Sequence, residues 1–151
     1  MSTIIVCIDN NLASENALNY ACLLAKKNKF NIQILAVIDG SHRNLLFASG
    51  AISSQQYSQI QRHINKLVDD ICLPNNIKPN ISIREGEIIT EITKEVKMAE
   101  DCRLLIFGKA QNSQSDNTVL PKIVGKIGNK INTPVIIIPQ NFSLDAMIDV
   151  L

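Results

Sequence analysis

Four short runs of β-branched and aliphatic residues constrain this chain more than anything else in it. They are Thr3–Ile8 (TIIVCI), Ile32–Ile38 (IQILAVI), Leu104–Phe107 (LLIF) and Val135–Ile138 (VIII). Each is near-continuously apolar rather than alternating, which in Thr3–Ile8 is the pattern of a strand covered on both faces. A fifth run, Asn80–Arg84 (NISIR), does alternate, so we read it as more exposed and nearer a sheet edge. Between the runs the apolar spacing changes to that of helices. Leu12, Ala13, Ala17, Tyr20, Ala21, Leu24 and Ala25 form one stripe, with Lys26, Lys27 and Lys29 suited to the negative end of its dipole. A longer helix is expected from about Ser54 to Leu73, its exit bracketed by Pro74 and Pro79. Glu85-Gly86-Glu87 should turn into a third helix bearing Ile88, Ile89, Ile92, Val96 and Ala99. Leu120, Ile123, Val124, Ile127 and Ile131 mark a fourth. Strands alternating with helices predict an α/β fold: a three-layer sandwich with a five-stranded parallel sheet and helices on both faces.

The length of 151 residues suits one domain, which we place at residues 1–140. The tail at 141–151 carries Leu144, Met147, Ile148 and Leu151, a spacing that permits a short amphipathic helix on its own domain or on a partner. The segment 42–53 reads as a loop or a short helical turn. A formal net charge of +1 argues against a general nucleic-acid or anionic-membrane surface. Aromatic residues are only 4%, so base-stacking platforms are poorly supplied. No apolar run approaches the ~18–20 residues of a membrane-spanning helix. Cys7, Cys22, Cys72 and Cys102 are scattered without a CxxC pair, and the start shows no charged-then-apolar leader. We therefore expect buried thiols in a reducing cytoplasm, with no membrane insertion.

The best place for a ligand is Arg103–Lys126, where a strand ending at Gly108 meets a polar loop and then a helix. Strand, loop, helix is how α/β proteins present a site at the carboxyl edge of a sheet. Catalytic chemistry finds little support. His63, beside Arg62, reads as an exposed solubilising residue, and His42 near Asp39 and Ser41 lacks any triad pattern. Asp69-Asp70 and Glu100-Asp101 read as solvated charges. No GxSxG elbow, phosphate-loop lysine motif or metal-ligand spacing occurs. No catalytic residue and no metal site are expected.

The ordered set IIVCIDNNLASENALNYACLLAKK, REGEIITEI, LLIFGK and NTPVIII resembles the universal stress protein family up to about Gln140. The resemblance implies a strand order of 3-2-1-4-5 and a crest crevice between the first and fourth strands. The implied nucleotide cleft would include Asp9, Val37, Gly108, Gln111 and Lys122. Nucleotide-binding members carry G-x2-G-x9-G-[ST] after the fourth strand, so that backbone N–H groups approach the phosphates. Counted from Gly108, the second and third glycine positions fall on Gln111 and Pro121, and the hydroxyl position on Lys122. Pro121 has no N–H to offer and should open the last helix. Lys109, Lys122 and Lys126 would meet a phosphate only as point charges.

The expected reading is thus a non-enzymatic stress-response protein acting as a homodimer through contacts with a protein partner. No cofactor and no nucleic acid are expected. The dimer, which the resemblance implies, would pair through Val135, Ile136, Ile137 and Ile138, an apolar edge that needs a partner or a cover. The alternative is a sensor of ATP or AMP using the diverged loop. A nucleotide-dependent enzyme of a related fold is a third.

Overall fold

The computed structural model describes residues 1–8, 13–39, 50–109 and 116–151. Five parallel strands build one sheet: β1 (Thr3–Cys7), β2 (Asn31–Asp39), β3 (Asn80–Gly86), β4 (Cys102–Lys109) and β5 (Val135–Pro139). Their spatial order is β3-β2-β1-β4-β5, which leaves the alternating strand and the last strand at the two edges. The helices are α1 (Ala13–Asn28), α2 (Gly50–Leu67), α3 (Ile88–Met98), α4 (Asp116–Ile127) and α5 (Leu144–Val150).

The period of two along each strand divides the core into two halves. On one face Ile4, Val6, Ile34, Ala36, Ile106 and Ile138 pack with α1, α2 and α5. On the other Ile5, Leu35, Leu105 and Phe107 pack with α3 and α4. Ile4, Ile5 and Val6 are wholly buried, as a central strand under two helical layers requires.

Several boundaries differ from the expectation. The second helix begins at Gly50 rather than Ser54. It ends at Leu67 and continues as a π-helical turn over Val68–Cys72, then a 3-10 turn over Leu73–Asn75. Asn76 stops it in the left-handed region at φ 58°, a conformation asparagine tolerates. Pro121 does not open α4, which starts five residues earlier at Asp116. The expected loop at 42–49 lies outside the described residues.

The tail folds back on the domain. Ser143 caps α5 by accepting the Ala146 N–H at 3.1 Å, and Met147 is fully buried in the core beside α1. Asn16 of α1 donates its amide to the carbonyls of Gln140 and Phe142, the latter at 3.1 Å. Lys27 Nζ reaches the Leu151 carbonyl at 2.7 Å. Leu144 and Ile148, one turn apart, face away from the core and are exposed.

Candidate functional site: the sheet crest and its edges

The strand order sets the crest geometry. β1 has β2 on one side and β4 on the other, so the connection leaving β1 runs toward β2 while the one leaving β4 runs the opposite way, toward β5. At such a switch point the connecting loops diverge and leave a crevice above the strand ends. Gly108 lies there, one residue past Phe107, the partner of Cys7 on β1.

Gly108 has a packing reason to be glycine. A Cβ at this position would lie 2.3 Å from the Ala13 carbonyl oxygen and 3.0 Å from the Ala13 Cβ. The first turn of α1 therefore rests directly on β4, a contact only a residue without a side chain admits.

The other expected cleft residues are distributed unevenly. Val37 lies near the end of β2, half-buried against the α3–α4 half of the core and level with Arg84 of β3. Lys122 falls within α4. Asp9 and Gln111 lie outside the described residues. Lys109 ends β4 and is exposed. Lys126 lies in the last turn of α4, about 15 Å along the axis from its start at 1.5 Å per residue, so it does not share the loop's end of that helix.

At the β5 edge, Leu105, Ile106, Phe107 and Gly108 pair with Val135, Ile136, Ile137 and Ile138 respectively. Ile138 is buried, Val135 and Ile136 are half-buried, and Ile137 is 39% exposed. Among the described residues nothing pairs with the outer side of β5.

A cluster missing from the sequence expectation lies under the opposite edge. Glu95 of α3, only 3% exposed, accepts from Ser82 Oγ at 3.0 Å, from Arg84 Nε at 2.5 Å and from Gln33 Nε2. Arg84 also donates to Glu91 at 3.3 Å, and Lys94 stands 3.4 Å from the same carboxylate. Hydrogen bonding to Glu95, aided by Glu91, raises the Arg84 pKa further above its already high ordinary value. Two signals could have revealed this: a lone Gln33 inside an apolar strand, and acids four apart on the stripe of α3. The cluster satisfies its own charges, so we read it as structural.

His63 departs from expectation as well. It is half-buried, and its Nε2 and the Gln56 Oε1 on the same helix are enclosed without a hydrogen-bond partner among the described residues. Between α3 and the turn after α4 a cleft of about 300 Å³ is lined by Thr90, Thr93, Lys94, Lys97 and Lys130. Among the described residues no group of His, Cys, Asp and Glu could hold a metal ion. No described helix is long and apolar enough to cross a membrane.

Sheet order, layering and crest together define an open parallel α/β protein of the kind that offers a crevice at its switch point. The chain belongs to the universal stress protein family, whose model matches residues 1–139. The solved structures agree on the fold. Hypothetical protein MJ0577, subject of a structure-based assignment of biochemical function, superposes with a TM-score of 0.75 at 15% identity, covering 93% of this chain and 97% of that one. The Archaeoglobus fulgidus universal stress protein in complex with dAMP gives 0.65 at 15% identity, covering 91% and 98%. An Arabidopsis thaliana family protein with AMP bound gives 0.60 at 18% identity, covering 93% of each. No curated protein matches the chain.

Proposed function

We propose that this universal stress protein acts in a cytoplasmic stress response as a homodimer, through contacts with a protein partner, and without catalysis. Residues 1–140 are the working α/β unit and 141–151 its tail. The observation that carries the reading is the β5 edge: an open strand of four consecutive aliphatic residues, with Ile137 39% exposed. Such an edge aggregates unless something pairs with it or covers it. The tail turns its buried residue Met147 toward α1 and leaves Leu144 and Ile148 outward, which adds apolar surface for a second copy. In this reading Val135, Ile136, Ile137 and Ile138 meet their counterparts across a two-fold axis. Light scattering tests it: Ile137→Lys should convert a dimer to monomers, and an unchanged dimer would remove this interface.

A second reading has specific support, because relatives of the same fold are described with AMP, dAMP and cAMP. In it the crest takes ATP or AMP between Asp9, Val37, Gly108, Gln111 and Lys122. Relative to the motif, Gln111 adds a side chain where a glycine leaves room, Pro121 removes one backbone N–H, and Lys122 puts an ammonium where a hydroxyl would donate. We therefore infer that no cofactor is held tightly through the loop. Calorimetric titration of ATP, with and without magnesium, separates the readings. Saturable micromolar binding lost in Asp9→Ala favours the sensor, whereas absent heat leaves the dimer surface as the working part.

A further inference from the structure

Two of the four thiols meet inside the core. Cys22 on α1 and Cys72 at the end of the π-helical turn are each 0% exposed, and their sulfurs lie 3.7 Å apart. Fifty residues separate them in sequence, so the fold brings them together. The π turn contributes directly. A π turn takes one more residue than an α turn, rotating everything after it about the helix axis. Here it occupies Val68–Cys72, closes with the Leu73 N–H on the Val68 carbonyl, and delivers Cys72 against α1. π turns are rare and cost regular hydrogen-bond geometry, so one ending on a cysteine that faces another cysteine calls for a reason.

We propose that Cys22 and Cys72 form a dithiol site that a hydroperoxide converts to an intramolecular disulfide, stapling α1 to the end of the α2 arm. A disulfide needs sulfurs about 2.0 Å apart. The shortfall from 3.7 Å, about 1.7 Å, is within the sweep of two side-chain torsions. The Cys22 S–H donates to the Cys72 sulfur. That bond pulls the Cys72 pKa down, against the effect of burial, and together with burial pushes that of Cys22 up; in the proposal Cys72 is the attacking sulfur and Cys22 the resolving one. Its thiolate attacks the outer peroxide oxygen and the O–O bond breaks. The products are a sulfenic acid on Cys72 and an alkoxide, or hydroxide from hydrogen peroxide, which takes up the proton lost by the Cys72 thiol and leaves as an alcohol or water. The Cys22 sulfur then attacks the sulfenic sulfur and expels water. In sum, two thiols and one hydroperoxide give a disulfide, an alcohol and water; the sulfurs lose two electrons and the peroxide gains them. Neither sulfur touches solvent, so the reaction waits on local opening of the Val68–Asn75 segment, and its rate reports that opening.

The test uses the full-length protein, reduced, desalted and treated with hydrogen peroxide. Remaining thiols are alkylated in denaturant before intact mass and non-reducing peptide mapping. The expected result is a loss of two hydrogens, about 2 Da, with a single Cys22–Cys72 cross-linked peptide and with Cys7 and Cys102 alkylated. Closing a loop of this length should raise the thermal midpoint by roughly 10 °C over the reduced form. Cys72→Ala should abolish the cross-link; if that variant does not fold, the wild-type peptide map decides alone. Three results would each overturn the proposal: Cys22 and Cys72 still fully alkylatable after Cys7 or Cys102 has oxidised, pairing of either with another cysteine, or an oxidised form that melts below the reduced one.

Discussion

Replacing Glu95 with alanine probes the most enclosed charge among the described residues. Its carboxylate, 3% exposed, accepts from Gln33, Ser82 and Arg84. Two of these bonds come from neutral donors, each contributing about 1 kcal/mol net, and one from a guanidinium, at about 1.5–3 kcal/mol. Breaking a buried ion pair outright costs about 3–5 kcal/mol because the surviving charge is stranded. Arg84 would not be stranded, since Glu91 remains 3.3 Å away and the Arg84 side chain is 21% exposed. The expected loss is therefore about 3 kcal/mol, toward the lower end of that range. At about 2–4 °C per kcal/mol for a chain of this size, the midpoint should fall by about 6–12 °C. Urea unfolding followed by circular dichroism gives the free energy, provided the slope is unchanged. A cycle with Arg84→Ala sharpens the test. That change alone leaves Glu91 and Glu95 facing each other with only Lys94 at hand, so the double variant should lose about 1–3 kcal/mol less than the sum of the singles. A Glu95→Ala loss below about 1 kcal/mol, or additive effects, would refute the claim that this cluster ties α3 to the β2–β3 edge.

Two further outcomes follow from the same structure. Gly108→Ala should destabilise by about 2–3 kcal/mol, because its Cβ would lie 2.3 Å from the Ala13 carbonyl oxygen and backbone rather than a side-chain tip must yield; a calorimetric midpoint equal to wild type would show that α1 does not rest on β4. Glu87 caps α3, taking the Thr90 hydroxyl at 2.6 Å and N–H at 2.7 Å, and these bonds hold its pKa below the ordinary 4.5. A depressed folded-state pKa contributes stability that is full above about pH 4.5 and is lost as pH falls through the lower folded value. In Glu87→Gln that part of the acid limb should flatten, and an identical limb in both proteins would assign the pH dependence elsewhere.

How much of this could be read from the residues depends on how local the cause is. Thr3–Cys7, Asn31–Asp39 and Cys102–Lys109 announce themselves, because a strand covered on both faces must be apolar at nearly every position. The alternation of Asn80–Arg84 likewise put β3 at an edge. The strand order came from resemblance to a family, and no periodicity contains it. The π turn was hidden because Val68, Ile71 and Cys72 fit an ordinary helical stripe; only α1 beneath them explains the extra residue. Proline rules mispositioned α4: Pro121 favours a first turn, yet the helix already runs from Asp116. Glu91 and Glu95 drew no reading from the sequence, and only the sheet edge opposite, with Arg84 and Ser82, makes them interior residues.

Gly108 shows why a motif residue is weak evidence about a ligand. In the expected nucleotide loop it is the first glycine, where missing side-chain bulk would let backbone N–H groups close on phosphates. In this fold the same missing bulk lets the first turn of α1 reach β4, with Ala13 in the space a Cβ would fill. Packing alone would preserve that glycine in a protein that binds nothing. Gln111, Pro121 and Lys122 are the positions at which the sequence departs from the phosphate-binding pattern. Gly108 on its own is therefore no sign of a nucleotide, whereas the departures at those three positions are what supports the proposal that the loop holds none tightly. On that proposal the place to seek this protein's work is the β5 edge and the outward face of α5, where Ile137, Leu144 and Ile148 stand exposed.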